Sequence, residues 1–385
     1  MHIAIDASRL AATALTGTER YSYELVTALA RCDRSNRYTL YCNQRPATLP
    51  PLGSNFTLRR IPFPRVWTHV RLSAEMLRHP PDTLFIPAHV LPLAVPLLRK
   101  TRTVVTVHDL GYLRFPEAHT RVQRLYLRLS TLWSARVATH IIAISSATRA
   151  DLVRMTGVSP EKITVVHHGL SPRFRPVEDR ALVDAALERY RITTPYFLYV
   201  GTIQPRKNLE RLIESFARLD ISHAQHHLQS PISNLQLVLA GKRGWLSESI
   251  VQRVAELGIT DRVRFTGYVD DADLPALLSG ACAFVFPSLY EGFGMPVLEA
   301  MACGAPVLTA NTSSLPEVAG DAALLIDPEN TDAMTDGLAR LLEDASLRAD
   351  LRARGLARAA QFTWDRCAAE TYAVLVGAPK ETFLH

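Results

Sequence analysis

Short apolar runs recur along the chain, each closed by glycine, proline or a polar pair and followed by a stretch with helical spacing. Strands are expected at Met1–Ala7, Tyr38–Tyr41, Thr57–Ile61, Thr83–Ile86, Thr103–Val107, Ile141–Ile144 and Ile163–Val166. A second series follows at Tyr196–Val200, Leu235–Ala240, Val263–Phe265, Phe284–Pro287 and Val307–Thr309. Thr103–Val107 is β-branched almost throughout, as a strand buried on both faces of a parallel sheet requires. Helical patterns lie between the strands. One enters at Thr16-Gly17 and runs through Leu29, and another spans Arg65–Arg78 with Trp67, Val70 and Leu77 facing inward. Alternation of strand and helix in both halves predicts an α/β protein of two doubly wound, Rossmann-like domains.

Residues 171–194 are charged and punctuated by proline, and read as a linker carrying one helix, Ala181–Tyr190. The expected division is therefore 1–170 for the first domain, 195–361 for the second, and 362–385 as a helical segment returning to the first. With 385 residues, 48% of them hydrophobic and 21% charged, the chain is long enough for two full cores and is not disordered. The longest apolar-looking run, Leu84–Leu98, is broken by Pro87, Pro92 and Pro96 and is too short to span a bilayer. No basic segment precedes an apolar one at the N-terminus, and the five cysteines lack C-x-x-C spacing. A cytoplasmic protein with buried free thiols is expected, without a disulfide framework or zinc site.

Charge adds an asymmetry. Residues 1–180 hold 25 Lys/Arg against 12 Asp/Glu, and residues 181–385 hold 18 against 25, so +13 and −7 give the net +6. The first half is expected to face something anionic: a membrane, a lipid-phosphate acceptor or nucleic acid. Alternatively it is arginine-rich for solubility alone. Arg121–Arg136 interleaves arginines with Leu125, Tyr126, Leu129 and Trp133. It reads either as a helix resting on an anionic membrane or as a surface helix with leucines inward and arginines outward.

The densest chemistry lies between Phe284 and Ala310. An apolar strand there meets Gly292-Phe293-Gly294, then Pro296 at a helix start, with Gly304 and Pro306 at its end. A helix N-terminus behind a glycine turn aims backbone N–H groups and partial positive charge at one point, which suits a diphosphate. Glu291 lies before the helix and Glu299 inside it, so two carboxylates flank that point. A molecule with a diphosphate in the middle and hydroxyls at both ends is a nucleotide sugar. Arg206 and Lys207 stand at another expected helix start, against the dipole preference, and call for a bound anion. Gly241 is a further point where backbone can approach a ligand. Asp6 and the pair His108-Asp109 fall at carboxyl ends of strands, where open α/β sheets bind ligands. His108 also fits a strand-capping role, and Asp6 a turn. His167-His168 invite a metal, but neighbours on a strand point to opposite faces. Asp270, Asp271 and Asp273 read as caps of the Leu274–Ser279 helix.

The string E-G-F-G-M-P-V-L-E-A-M-A-C-G-A-P-V from Glu291 resembles the signature of retaining glycosyltransferases of family 4, with its E-x7-E pair at Glu291 and Glu299. The resemblance implies the GT-B architecture, with two domains facing a cleft. It implies donor contacts along Glu291, Gly292, Phe293, Gly294, Met295, Val297 and Glu299, with Glu291 on sugar hydroxyls and Glu299 on the ribose. It places Lys207 on the donor diphosphate and His108, beside Asp109, near the donor sugar. Gly17 matches one glycine of the family's opening loop. Thr202 stands where relatives carry an arginine, with Arg206 as its substitute. Tyr268 and Val269 fall where relatives hold the nucleobase. His108, Asp109, Lys207 and Glu291 are the expected catalytic set.

The resemblance further implies transfer of a hexose with retention, without metal or cofactor, from a nucleoside-diphosphate sugar to a saccharide or polyprenyl-linked acceptor. GDP-mannose is the favoured donor, and the expected location is cytoplasmic, peripheral on the inner face of the plasma membrane. A nucleotide-sugar epimerase of the same fold stays open, as does a module binding an anionic surface. Nucleic acid is not an expected partner, since the basic half lacks an aromatic platform.

Overall fold

The computed structural model describes residues 1–11, 17–46, 48–63, 66–88, 90–116, 120–219 and 234–378. The chain divides into two compact units. The first is Met1–Gly169 with Phe362–His385, and the second is Leu170–Gln361.

The first unit carries β1 (His2–Asp6), α1 (Gly17–Cys32), β2 (Arg37–Cys42), β3 (Phe56–Arg60), α2 (Ser73–Arg78) and β4 (Thr83–Ile86). After these come β5 (Arg102–Val107), α3 (Gly111–Arg114), α4 (Arg121–Val137), β6 (His140–Ala143), α5 (Ser146–Thr156) and β7 (Ile163–Val165). Its seven strands are all parallel, in the order β3-β2-β1-β4-β5-β6-β7. The order reverses between β1 and β4, which makes their carboxyl ends the switch point of this sheet. Alternation along β1 sends Ile3 and Ile5 into one apolar layer and Ala4 into the other.

The second unit begins with α6 (Arg180–Tyr190), β8 (Tyr196–Val200), α7 (Leu209–Ala217), β9 (Gln236–Ala240), α8 (Glu248–Glu256) and β10 (Val263–Gly267). It continues through α9 (Leu274–Gly280), β11 (Ala283–Phe286), α10 (Met295–Ala302), β12 (Val307–Ala310), α11 (Leu315–Ala319) and β13 (Leu324–Ile326). Then come α12 (Thr331–Glu343) and α13 (Ala345–Ala359), before α14 (Trp364–Val376) adds to the first unit. Trp364, Cys367, Ala368 and Leu375 of α14 share an apolar cluster with Leu25 and Leu29 of α1. The six strands of the second sheet are also parallel, in the order β10-β9-β8-β11-β12-β13, with the switch point between β8 and β11.

Several local expectations are corrected. In the Arg65–Arg78 region a π-helical turn, Thr68–Leu72, precedes α2; Trp67 is buried, but Val70 and Leu77 are exposed. On α4 the leucines do not face inward: Leu125 and Leu129 are exposed, and Ser130, Thr131, Ser134 and Ala135 make the buried face. Asp273 does not cap α9 through its side chain; its Oδ2 pairs with Arg189 at 2.6 Å and accepts from the Tyr190 hydroxyl at 2.9 Å. These bonds, with Val177 N donating to Ser279 Oγ at 3.0 Å, hold residues of the 171–194 stretch against the second unit. Cys32 is exposed, whereas Cys42, Cys303 and Cys367 are buried. The expected surface loop Ile221–Asn234, except its last residue, lies outside the described residues, as do Thr16 and Arg65. Among the described residues, no helix is long and apolar enough to cross a membrane.

Candidate active site

Two loops meet at the switch point of the second sheet, one after β8 and one after β11. The first forms a single 3-10 turn, Pro205–Lys207, and Asn208 at φ 61° then redirects the chain into α7. The second bonds back to it: Leu289 N donates to Arg206 O at 3.0 Å, and Ser288 Oγ lies 3.3 Å from the same carbonyl. The loops thereby bring Lys207, Arg206 and Glu291 together across 84 residues of sequence. Lys207 Nζ lies 2.5 Å from Glu291 Oε1, and Arg206 Nη1 lies 3.1 Å from Oε2. Arg206 also donates to Tyr290 O. Ser288 Oγ donates to Glu291 Oε1 at 2.6 Å, and Glu291 N donates to Ser313 Oγ at 3.0 Å. Lys207 Nζ stands 4.9 Å from the ring centroid of Phe286. Burial alone pushes the Glu291 carboxyl up, but the charges of Lys207 and Arg206 outweigh it and hold the group below its ordinary value.

The anion that Arg206 and Lys207 called for is thus, in part, a side chain of the protein. Two cations share one carboxylate, so the cluster carries a net charge of about +1 and still favours an added anion.

Gly294 adopts φ 114° as the N-cap of α10, and a Cβ there would stand 2.8 Å from Leu315 Cδ2. Ser314 Oγ ties the turn down, its one proton shared between Phe293 O at 2.7 Å and Glu291 O at 2.9 Å. The amide supply at this helix start is smaller than the sequence implied. Pro296 has no N–H, and Val297 N is already bonded to Gly294 O at 3.0 Å. Val297 and Phe293 side chains are buried, and Met295 and Glu299 are partly exposed.

On the other side of β8, three glycines pack backbone on backbone. Gly241 N donates to Gly267 O at 2.8 Å, and Gly201 N to Ala240 O at 2.9 Å. A Cβ on Gly241 would fall 1.9 Å from Gly201 O, so the close approach is to a neighbouring loop. Thr202 is exposed and its carbonyl accepts from the Tyr199 hydroxyl at 3.1 Å. Tyr268 is 56% exposed with Lys242 Nζ 5.1 Å from its ring centroid, while Val269 is buried.

The remaining expected residues belong to the first unit. His108 follows β5 and is buried, donating Nε2–H to Pro87 O at 2.8 Å, with Tyr21 edge-on at 4.7 Å. Both the strand-capping bond and a place at the carboxyl end of the sheet therefore hold for it. Tyr21 also stacks on His168 at 4.7 Å. His168 is held well below its ordinary value by burial first and by His108 and His167 second, so it is neutral. Asp109 is exposed and accepts from Gly111 N at 2.9 Å, closing the turn into α3. Gly17 is the first residue of α1, and a Cβ there would meet nothing within 4 Å, so no close approach demands glycine. Among the described residues no group of three or more His, Cys, Asp or Glu is placed to hold a metal.

Sequence reasoning missed the serines at 288, 313 and 314, whose signal was only their position beside Glu291 or at the end of the next strand. It also missed a cavity of about 330 Å³ at the switch point of the first sheet, lined in part by Asp6, Arg9, Trp67, His69 and Tyr126. Burial raises the Asp6 carboxyl above its ordinary value despite the hydrogen bond from Ser8. A larger cavity of the first unit, about 620 Å³, lies by α14 and includes Arg102, His140 and Glu370.

Two all-parallel α/β units of this topology constitute the GT-B fold of glycosyltransferases. Solved structures agree. Sucrose-phosphate synthase from Thermosynechococcus elongatus superposes with a TM-score of 0.75 at 23% identity, covering 98% of both chains. Alr3699/HepE of Anabaena, in complex with UDP and glucose, does so at 0.72 and 18%, covering 98% of this chain and 99% of that one. Sequence narrows the class. Residues 188–358 match the family described as Glycosyl transferases group 1, and residues 15–174 match Glycosyltransferase Family 4. O-antigen chain mannosyltransferase B of Escherichia coli is 34% identical over 376 residues, covering 93% of this chain and 95% of that protein. The serotype-specific mannosyltransferase WbdA of Escherichia coli is 30% identical over 269 residues, 68% of this chain but 32% of its own length. The chain belongs to glycosyltransferase family 4 and is a glycosyltransferase.

Proposed function

We propose that the protein transfers a hexose, mannose from GDP-mannose, to a saccharide acceptor carried on a lipid, with retention of anomeric configuration. The observation that carries this reading is the Lys207–Glu291–Arg206 cluster beside the Gly294 turn. In it a carboxylate and two cations stand where a diphosphate and its sugar would meet. As the glycosidic bond to the donor breaks, negative charge grows on the departing diphosphate. Lys207 and Arg206, with the amides at the start of α10, would stabilise that charge, the electrostatic task that other enzymes give to a divalent metal. Glu291 would exchange part of its ion pairing for sugar hydroxyls, and Glu299 would accept from the ribose. Tyr268 and Val269 would border the base. Within the first unit, His108, Asp109 and Gly17 are the residues proposed to serve transfer.

Mannose is supported by the mannosyltransferases among the relatives, and a saccharide acceptor by the O-antigen chain enzyme that matches along almost its whole length. The switch-point cavity with Asp6, Arg9, Trp67 and Tyr126 supplies the acidic, basic and aromatic groups with which a saccharide would be held. A lipid-linked acceptor would make the protein work at the inner face of the plasma membrane.

The test incubates purified protein with GDP-mannose, UDP-glucose and dTDP-rhamnose, each with a mannosylated acceptor and with or without EDTA. Transfer from GDP-mannose, unchanged by EDTA, with an α-linked product by NMR, is the expected result. Release of an epimerised donor sugar without transfer, or a β-linked product, would overturn the reading.

A further inference from the structure

On one face of the first sheet α14 packs over β4 and β5. Beside it, His140 of β6 and Thr164 of β7 meet, Nε2 to Oγ1 at 2.8 Å, and both line the cavity of about 620 Å³. Val165, Ala373, Val374 and Ala378 give that cavity an apolar wall. Its volume falls within the roughly 300–1,000 Å³ of small-molecule sites.

Arg102, the first residue of β5, supplies the charge. It is half-buried, and its one bond among the described residues runs from Nε–H to Val374 O at 2.8 Å, near the end of α14. Thr83 Oγ1 donates to the next carbonyl, Leu375 O, at 3.0 Å. Gly377 then turns the chain at φ 73°, and a Cβ there would stand 3.3 Å from Arg102 Nη1. Capping the helix thus uses one N–H of the guanidinium and leaves its remaining donors. Burial pulls Arg102 below its ordinary value, and no neighbouring charge acts against that. The other arginine of the lining, Arg366, is already paired with Glu370 at 2.8 Å. Glu161, also in the lining, is exposed and accepts from Ser159 Oγ at 3.1 Å. The carbonyl end of α14 offsets part of the cost of taking Arg102 out of water. A charge left without an opposite one still calls for an anion.

We infer that this cavity binds a small carboxylate with an apolar body, its carboxylate on Arg102 and its body along Val165, Ala373, Val374 and Ala378. A guanidinium meets a carboxylate through paired N–H donors, which fixes orientation as well as energy. One uncompensated cation matches a monoanion, whereas a phosphate dianion would call for a second. The ligand would lie against the C-terminal half of α14 and brace that helix on the sheet. It needs neither donor nor acceptor, so the inference goes beyond the proposed transfer and does not rest on it.

Calorimetric titration and thermal melts of the full chain test this with octanoate, with octanol as its uncharged counterpart and with inorganic phosphate, all at constant ionic strength. Octanoate is expected to bind at least about tenfold more tightly than either control, the typical effect of hydrogen bonds to a charged group, and to raise the melting temperature. Arg102→Gln keeps an N–H for Val374 O and should weaken octanoate by about tenfold or more while leaving octanol unchanged. Ala373→Leu fills the apolar wall without touching Arg102 and should weaken both, which tests the cavity even if Arg102→Gln folds poorly. Octanol bound as tightly as octanoate would reduce the cavity to an apolar hollow, and phosphate bound as tightly would make it a plain anion site; either overturns the inference. So does octanoate binding that neither variant weakens, or no octanoate binding at millimolar concentration. Transfer on the same preparations should match wild type in both variants. A protein that transfers without binding octanoate loses only this inference, and one that binds octanoate without transferring loses only the enzymatic reading.

Discussion

Glu291 is the residue on which the proposed chemistry turns, and its ion pairs with Lys207 and Arg206 would make it more than a hydroxyl acceptor. Lys207 and Glu291 are both largely buried, so removing Lys207 leaves the Glu291 carboxylate with Arg206 as its remaining charged partner. Lys207→Ala should therefore cost on the order of 3 kcal/mol in stability as well as transfer. This goes beyond the loss of a surface ligand that the sequence alone implied. Glu291→Gln keeps the shape and the Ser288 bond but leaves Lys207 and Arg206 without their shared carboxylate charge, so it should be destabilised to a comparable degree, while losing transfer by at least about a hundredfold. Thermal melts beside rate measurements separate the two, and wild-type rates in Glu291→Gln would remove the carboxylate from the mechanism. The pH dependence has a definite sign. Glu291 is depressed in the folded protein, so its contribution is present above the ordinary carboxylate range and is lost as pH falls through its lowered value.

Two glycines from the expected donor set make opposite predictions. Gly294 sits at φ 114° with Leu315 against it, and Gly294→Ala should cost about 1–3 kcal/mol. Gly17 opens α1 into empty space, so Gly17→Ala should leave the melting temperature unchanged or slightly higher. A fall in transfer by Gly17→Ala without a fall in stability would mark a donor contact, and a destabilised Gly17→Ala would contradict the local geometry.

At the level of elements, legibility followed how many constraints acted on each stretch. Thr103–Val107 is apolar and β-branched because both its faces are buried, and β5 matches it to within one residue. Gly294 and Pro296 marked the start of α10 because the turn needs positive φ and the helix tolerates proline there. The helices misread from sequence are those whose apolar positions do not face the core. On α4 small polar residues make the close contact and leucines stay outside, and no periodicity rule tells an inward stripe from an outward one. The π-helical turn at Thr68–Leu72 shifts the helical phase, which leaves Val70 and Leu77 exposed. The candidate site was legible as a set of residues and illegible as a set of bonds. Glu291 and Lys207 were visible in their own motifs, but their ion pair depends on two loops meeting at a switch point.

The histidine at the junction of β7 and α14 gives a prediction at this scale. His168 is packed between Tyr21 and Trp364, and stays neutral in the folded state while the unfolded chain titrates at about 6.5. Below that pH the unfolded state takes up the proton and the folded state does not. Stability should thus fall by up to about 1.4 kcal/mol per pH unit as the pH drops below about 6.5. His168→Phe keeps a ring against Tyr21 and should flatten that slope. Denaturant titrations at pH 7 and 5.5 measure it, and an unchanged slope would show that the Tyr21 stack is not what sets the acid sensitivity.

At the scale of the whole chain, two units with separate sheets and separate cores make stability a property of each unit. The units also differ in charge, +11 for residues 1–169 with 362–385 and −5 for residues 170–361. The basic excess is where α4 presents its arginines, and the acidic half carries the cation cluster at its own switch point. A diphosphate bound there would thus be recognised by local geometry rather than by the net field of its unit. A nucleotide sugar that binds Lys207, Arg206 and the Gly294 turn stabilises the folded second unit by mass action, by about 2.7 kcal/mol at a hundredfold excess over Kd. Calorimetry should then show the transition of the second unit rising by several degrees with GDP-mannose, and less with UDP-glucose. Glu291→Gln, which leaves both cations with no carboxylate charge between them, should bind GDP alone more tightly than wild type although it transfers nothing. That combination separates the electrostatic role of the cluster from its role in catalysis. A variant that lost GDP binding together with transfer would mean that Glu291 holds the loops in place, and that the cations do not bind the diphosphate without it.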